Sequence, residues 1–185
     1  MNIEVEIKIK IDNFNEIKEK VSRLGSLIKE TRQIDEYYVP LHKNFFEINP
    51  TVEFLRIRTN KDKTVFEYTR CVNMKDNGKY DYAEEYETEI KNVDEFRKTL
   101  EFLDFKKIVV VDKKREYWDC GNIEVALDKV ENLGEYIEAE AKGDFKDSEE
   151  AKNTCIKFLE DLGIENVEEK SINLGYPQII LQKEK

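Results

Sequence analysis

The chain is poor in cysteine and histidine, which excludes several common kinds of site. Its three cysteines, Cys71, Cys120 and Cys155, are odd in number and lie far apart in the sequence. Such cysteines fit neither a disulfide framework nor a zinc motif, and they favour a reduced, cytoplasmic protein. The single histidine, His42, is predicted to lie in a loop outside the charged strands described below, so we do not expect it to take part in catalysis.

Long apolar runs and an excess of basic residues are also lacking. No run approaches the roughly 20 apolar residues that span a bilayer, and the first residues are charged rather than typical of a secretory signal. The chain has 41 acidic and 31 basic residues and a formal net charge of −10, which disfavours a nucleic-acid-binding surface. We therefore expect no membrane or nucleic-acid partner. An anionic ligand is compatible with this composition because local charge decides binding.

Charged and hydrophobic residues are balanced, each making up 39% of the sequence. This balance, without low-complexity segments or linkers, predicts one folded domain over residues 1–185. Helices with apolar faces are predicted at 14–24, 93–103 and 148–162, the last capped by Ser148. Alternation of apolar and polar residues predicts strands at 3–11, 27–38, 53–59, 64–70, 84–90, 108–118, 123–130 and 136–142, with a further short strand at 179–181.

These elements predict an α+β fold that is mainly β. About eight strands, mostly joined by short turns, are typical of an antiparallel sheet that closes into an eight-stranded β-barrel. We expect about three helices to pack outside that barrel.

The first strand has the most informative charge pattern. Its odd-numbered residues are apolar from Ile3 to Ile11, so Glu4, Glu6 and Lys8 share the other face. Successive charges on that face lie about 7 Å apart, and carboxylates at this spacing can hold a hard cation such as Mg²⁺. The same spacing recurs at Glu85-x-Glu87-x-Glu89 and at Glu138-x-Glu140-x-Lys142.

Basic residues follow the same alternation. Arg56 and Arg58 share one strand face, Lys113 and Arg115 share another, and Arg70 ends a strand on the face of Phe66 and Tyr68. If these faces point inward, a lumen with both signs of charge could bind a metal–polyphosphate, with carboxylates on the cation and basic groups on the phosphates. If they point outward, they form cross-strand salt bridges that contribute little each. The pattern alone does not decide between the two.

Five motifs follow one another along the chain. They are Glu4-x-Glu6-x-Lys8, Gln33-x-Asp35-x-Tyr37, Leu55-Arg56-x-Arg58, Lys113-x-Arg115, and the block Leu127-Asp128-x-Val130, Leu133-Gly134, Glu138-x-Glu140. In this order they resemble the motifs of the CYTH superfamily, also called triphosphate tunnel metalloenzymes. The form of the second motif and the loop to the third are most similar to the class IV adenylyl cyclase-like (CyaB-like) branch.

The resemblance implies a charged tunnel inside the barrel and divalent-metal chemistry on triphosphates, with Mg²⁺ or Mn²⁺ as cofactor. It implies metal ligands at Glu4, Glu6, Glu87, Asp128, Glu138 and Glu140. It implies triphosphate contacts from Lys8, Arg56, Arg58, Arg70, Lys113 and Arg115, of which Lys8, Lys113 and Arg115 would also be catalytic. Arg70 departs from the family, which usually has a lysine in a Thr-x-Lys context, and the acidic run leaves the ranking of Glu85 and Glu87 open.

Three functions are compatible with these residues. The first is metal-dependent hydrolysis of a triphosphate, which could be inorganic triphosphate, thiamine triphosphate or a nucleoside triphosphate. The second is a class IV-type adenylyl cyclase, in which the ribose 3′-hydroxyl of ATP attacks the α-phosphate to give cyclic AMP and pyrophosphate. The third is a non-catalytic polyphosphate- or nucleotide-binding protein, which would not need so many carboxylates. A monomer and a homodimer both fit the sequence.

Overall fold

The computed structural model describes residues 5–48, 50–72 and 82–183. Its strands are β1 Glu6–Ile11, β2 Ser26–Pro40, β3 Glu53–Thr59, β4 Thr64–Val72, β5 Tyr82–Glu89, β6 Phe105–Asp119, β7 Ile123–Val130 and β8 Gly134–Ala141. Its helices are α1 Phe14–Leu24, α2 Val93–Phe102, α3 Ser148–Asp161, α4 Val167–Lys170 and α5 Tyr176–Lys183, with a 3₁₀ helix at Phe45–Glu47. The eight strands predicted from the alternation are therefore confirmed, with shifts of a few residues at their ends.

The strands form one eight-stranded antiparallel sheet. Their order is β1-β8-β7-β6-β2-β3-β4-β5, so most neighbours in the sheet are also neighbours along the chain. Within the described ranges this order ends at β1 and at β5, and no hydrogen-bonded pairing joins those two strands. The antiparallel sheet is confirmed, whereas its closure into a barrel is not and stays a prediction.

The number of helices was underestimated, because the described part of the chain contains five α-helices rather than about three. The strand predicted at 179–181 is wrong, since these residues lie in α5. Pro177 is in the first turn of α5, where its missing N–H would have no helical partner anyway. The side chain of Gln178 accepts a hydrogen bond from Gly175 N at 2.7 Å and so caps the helix start. Three consecutive apolar residues fit both the helical period of 3.6 residues and the strand period of two, so this pattern does not distinguish a helix from a strand.

The chain divides into two compact units by its contacts. The first unit comprises Met1–Arg32 and Lys113–Leu174, and the second comprises Gln33–Asp112 and Gly175–Lys185. The predicted single domain over residues 1–185 stays a prediction. No helix in the described part of the chain is long and apolar enough to cross a membrane.

The first unit has its core between strands and helices. Its helices α1 and α3 cover the apolar face of β1, β7 and β8, where the fully buried side chains include Ile9, Val21, Leu127, Ile137 and Leu159. Because successive residues of a strand point to opposite faces, the charged residues that alternate with these apolar ones lie on the other face of the same strands.

The second unit has a core of its own on one face of β3 and β4. Leu55 and Ile57 are buried there against Leu100 of α2, and the rings of Phe66 and Phe96 meet edge to face with centroids 4.8 Å apart. Arg56 and Arg58 alternate with these apolar residues and therefore lie on the opposite face.

The residue that caps the start of α3 can be identified by a stability measurement. The sequence predicted Ser148 as its cap, but Asp147 is the capping residue, and its side chain accepts a hydrogen bond from Glu150 N at 2.9 Å. We expect Asp147→Ala to lower the free energy of unfolding by about 1 kcal/mol, because one helix N–H loses its acceptor. Ser148→Ala, the matched control, should change it by a few tenths at most. Urea denaturation measures both, and equal losses would contradict the assigned cap.

Candidate functional site

One charged cluster lies on the face of the first unit that is opposite to its apolar core. We call it the first-unit cluster, and its members are Glu6, Lys8, Lys113, Arg115, Asp128, Glu138 and Glu140. The register of the antiparallel strands assembles it, because residues directly opposite each other share a face. Glu6 lies opposite Glu140, and Lys8 lies opposite Glu138, in the β1–β8 pair. Arg115 lies opposite Asp128 in the β6–β7 pair.

The centre of this cluster is removed from water. Asp128 is 0% exposed, and Lys8, Lys113 and Glu138 are also buried. Arg115 donates hydrogen bonds to Asp128 from two nitrogens, one of them Nε at 2.7 Å, and it also forms an ion pair with Glu138. Lys8 Nζ lies 3.2 Å from Glu138 Oε1, and Lys113 Nζ lies 3.7 Å from Asp128 Oδ2. The buried charges are therefore paired with one another, as their low exposure requires.

The protonation of the cluster follows from this pairing. Burial opposes ionisation of Glu138, but Arg115, Lys8 and Lys113 together hold the pKa of its carboxyl well below the usual range. Burial also disfavours the charged form of Lys8, yet Glu138 and Glu6 outweigh it and raise the pKa of the ammonium. Glu6 behaves differently, because partial burial and the negative charge of Glu138 raise the pKa of its carboxyl. Glu6 is thus a carboxylate that additional positive charge would stabilise.

A divalent cation would supply such charge, and the residues present fit one in their chemistry. Carboxylate oxygens are the ligands that Mg²⁺ and Mn²⁺ prefer, and Glu6, Glu138 and Glu140 are neighbours across the β1–β8 pair. In the arrangement described, these oxygens are engaged by basic side chains, with Glu140 bonded to Lys142 at 2.5 Å. Within residues 5–48, 50–72 and 82–183, no three acidic, histidine or cysteine side chains converge as a ready-made metal site. Glu4, another predicted ligand, lies outside the described residues.

A second charged cluster lies on the face of the second unit that is opposite to its core. We call it the second-unit cluster, and its members are Asp35, Tyr37, Arg56, Arg58 and Glu67. Arg58 donates two parallel hydrogen bonds to Asp35, each 2.7 Å long. Arg56 Nη2 lies 2.6 Å from Glu67 Oε1, and its Nη1 reaches the hydroxyl of Tyr37 at 3.3 Å. Although burial disfavours the charged form of Arg56, the pKa of this guanidinium is raised by Tyr37, Asp35 and Glu67.

The structure does not bring Arg70 to this cluster. Arg70 lies opposite Glu53 and Glu84 in the sheet, on the face that carries Leu55 and Tyr68. It is exposed, and its Nη2 pairs with Glu84 at 2.7 Å. The sequence predicts that Arg70 shares the face of Tyr68, and the pairing of Arg56 with Glu67 puts Arg56 on the other face.

Glu85 and Glu87 lie on β5, which ends the strand order. Glu87 is directly opposite Glu67 and so shares the face of the second-unit cluster. Its exposed carboxylate pairs with Lys63 at 2.9 Å. Glu85 lies opposite Thr69 on the same face and is also exposed. Neither carboxylate is buried in the way that Glu138 and Asp128 are.

Sequence reasoning missed Glu67 altogether and gave Asp35 no role of its own. Both are buried carboxylates, and each pairs with an arginine that the sequence predicts as a triphosphate contact. A signal for Glu67 was present in the β3–β4 hairpin. Once Thr59 and Thr64 are taken as the pair that closes the turn, antiparallel counting places Glu67 directly opposite Arg56.

The buried pairing of Asp128 can be tested by a stability measurement. We expect Asp128→Asn to lower the free energy of unfolding by about 3 kcal/mol, because Arg115 and Lys113 would lose the negative charge that compensates them. The matched control is Glu135→Gln, which removes a more exposed carboxylate paired with Lys129 at 2.9 Å and should cost less than about 1 kcal/mol. Chemical denaturation followed by circular dichroism measures both. Similar small losses of unfolding free energy in both variants would contradict the prediction that Arg115 and Lys113 need the charge of Asp128.

Known proteins resemble this chain over nearly its whole length. The family model described as the CYTH domain matches residues 2–172. A Methanocaldococcus jannaschii protein that carries the provisional name adenylate cyclase MJ0240 is 32% identical over 173 residues, which is 91% of this chain and 95% of that protein. The solved structure of PH1819 from Pyrococcus horikoshii has a TM-score of 0.79 and 30% identity, and the match covers 97% of this chain and 99% of that one.

A third match, at low identity, concerns the fold alone. It is a Hippeastrum protein, provisionally named an adenylyl cyclase and described as having a dominant triphosphatase activity. It has a TM-score of 0.69 and 16% identity, covering 99% of this chain and 96% of that protein. The family match covers the residues of both charged clusters. This chain belongs to the CYTH family.

Proposed function

We propose that this CYTH protein is a divalent-metal-dependent enzyme that hydrolyses an organic or inorganic triphosphate. The observation that carries the proposal is the first-unit cluster, in which three cations and two carboxylates are held together with little access to water. Well-packed apolar residues would stabilise a sheet at least as well as such a set of ions. Charges that are retained at this cost are therefore expected to serve a ligand that carries both signs of charge.

The acidic members of the cluster are proposed to hold the cation. These are Glu6, Glu138 and Glu140, with Asp128 as a further ligand, and the family resemblance adds Glu4 and Glu87. Mg²⁺ or Mn²⁺ is the proposed cofactor, since both accept carboxylate oxygens. When bound, such an ion supplies positive charge against the phosphate oxygens and Lewis-acid activation of the reacting groups.

The basic members are proposed to bind the triphosphate and to act in catalysis. Arg115 presents a planar fork that suits two phosphate oxygens, whereas Lys8 and Lys113 act as point charges. These three side chains would neutralise the negative charge that develops on the transferring and leaving phosphates. Because all three are already fixed by Glu138 and Asp128, little reorganisation is needed when charge develops.

Arg56 and Arg58 are proposed as further triphosphate-binding residues, on the strength of the Leu-Arg-x-Arg motif and of their position on a charged face. We leave Arg70 out of the proposed set. Its exposed side chain lies on the other face of β4 and is paired with Glu84. The barrel closure that the family resemblance implies and the choice between monomer and homodimer stay predictions.

A second candidate function is adenylyl cyclase activity, which the name of the Methanocaldococcus jannaschii relative favours. Hydrolase and cyclase would use the same ligands and differ in the phosphorus atom that is aligned for attack. The hydrolase is preferred because the clusters account for binding of the phosphates and the cation without requiring a nucleoside. The described Hippeastrum triphosphatase supports the view that proteins of this fold can catalyse such hydrolysis.

Removing one carboxylate of the first-unit cluster tests the proposal. We expect Glu138→Gln, and likewise Glu6→Gln, to lower metal-dependent phosphate release by about 100-fold or more while the fold is retained, because the cation loses a charged ligand. The matched control is Glu116→Gln, a buried carboxylate on the core side of β6 that pairs with Lys18 at 2.6 Å. It should keep wild-type turnover. Wild-type rates in Glu138→Gln and Glu6→Gln would contradict the assignment of the cation ligands.

Truncating Arg56 tests whether several phosphates are bound. We expect Arg56→Ala to weaken binding of inorganic triphosphate by about tenfold or more and binding of orthophosphate far less, because only the longer anion has phosphates left over for this side chain. Calorimetry with both anions measures the difference. Arg97→Ala is the control, since Arg97 pairs with Glu36 on the other face of the second unit. Equal losses of affinity for the two anions would contradict the proposal that this protein contacts several phosphates of one ligand.

A further inference from the structure

The arginines of the second-unit cluster are already neutralised by carboxylates. Arg58 is held by Asp35, and Arg56 is held by Glu67, whose two oxygens lie 2.6 and 2.7 Å from Arg56 Nη2. Glu67 and Asp35 keep only 6% and 2% of their side-chain surface exposed. Two cations and two anions therefore cancel, and this cluster by itself offers an incoming polyanion little net attraction.

Glu67 lies between one neighbour of opposite charge and one of like charge. It lies between Arg56 on β3 and Glu87 on β5, directly opposite each. Like charges that face each other across a sheet are destabilising, so a neutral side chain at this position would relieve the contact with Glu87. Glu67 is nevertheless buried and well bonded, since Thr69 Oγ1 also donates to it at 3.1 Å.

Arg56 keeps capacity for a ligand in this arrangement. One terminal nitrogen bonds Glu67, and the other reaches Tyr37 and lies 3.7 Å from Asp35 Oδ2. The Nε of Arg56 is buried and has no hydrogen-bond partner among the described residues. A buried donor without an acceptor is costly, and an anion oxygen would satisfy it. The guanidinium of Arg56 is thus bonded to Glu67 and lies near Asp35, and its Nε is left as an unsatisfied donor.

We propose that Glu67 is an internal counter-ion that occupies Arg56 and lowers the affinity of this protein for free polyphosphate. This inference rests on the proposed function. A phosphate that approaches Arg56 meets the buried negative charge of Glu67 at short range, in a place where water screens poorly. A triphosphate whose charge is partly neutralised by a divalent cation meets less repulsion. Glu67 therefore acts as a specificity-determining residue that favours cation-complexed triphosphate over the free anion.

The test is the affinity for inorganic triphosphate without divalent metal, measured by calorimetry on the full chain in the presence of a chelator. We expect Glu67→Gln to tighten binding about tenfold or more, because a buried charge next to Arg56 is removed at nearly constant shape. Glu67→Asp keeps the charge and should bind like the wild type. Glu67→Thr removes the charge with a smaller side chain and should also bind more tightly, which covers the case in which the glutamine variant does not fold.

The matched control is Glu36→Gln. Glu36 is also a buried carboxylate paired with an arginine, Arg97 at 2.8 Å, but it lies on the opposite face of the second unit. The substitution changes the net charge by the same amount, so it separates a local effect from general attraction of the anion. Wild-type affinity in Glu36→Gln together with tighter binding in Glu67→Gln supports the proposal.

Two results would overturn it. Unchanged affinity in the charge-removing variants would show that Glu67 is structural only, and weaker binding would show that it merely positions Arg56. A parallel titration with Mg²⁺ present tests the proposed function separately. If triphosphate binds the wild type with Mg²⁺, the proposed function stands whatever the metal-free titration shows. If neither the wild type nor any Glu67 variant binds triphosphate with Mg²⁺ present, the proposed function and this inference fail together.

Discussion

The ion pairing around Asp128 is the constraint on which the rest of the first unit depends. An ionised carboxylate with no exposure to water is tolerated only beside compensating charge, and Arg115 and Lys113 supply it from the neighbouring strand. This fixes the register of β6 against β7. A slip of one residue would turn the charged set toward the helices α1 and α3 and would move Leu127 out of the core. The same alternation that builds the core thus also builds the cluster.

In both clusters, basic side chains and carboxylates on neighbouring strands pair with and neutralise each other. A site built for a free anion would carry an excess of basic groups, and a site built for a metal ion alone would carry an excess of carboxylates. Near-balance of both signs fits a ligand that is itself a combination of cation and polyanion. The overall charge of −10 is no obstacle to the proposed ligand, because local charges such as those of Arg115 and Glu138, rather than the net charge, would act on it at short range.

The sequence predicted much of the architecture because alternation with period two is a strong signal. It located all eight strands and the helices α1, α2 and α3, and it named both members of the pair Arg115 and Asp128. Faces of single strands do not show which residues of neighbouring strands lie opposite each other. Glu67 and the separation of Arg70 from Arg56 follow only when the β3–β4 turn is used to count the register. Helices of four and eight residues contain too few apolar positions to show a helical period, so the sequence does not reveal α4 and predicts a strand within α5. Whether the sheet closes depends on pairing between distant segments, which no local pattern encodes.

The most direct test of the central claim is product analysis with Mg²⁺ or Mn²⁺, offering ATP, thiamine triphosphate and inorganic triphosphate in parallel. The account predicts release of orthophosphate that depends on the divalent metal, and the fastest of the three would identify the substrate class. Formation of cyclic AMP and pyrophosphate from ATP, without orthophosphate from any of the three, would contradict the hydrolase and establish the cyclase. Binding of triphosphate with no product at all would contradict the claim that this protein is an enzyme.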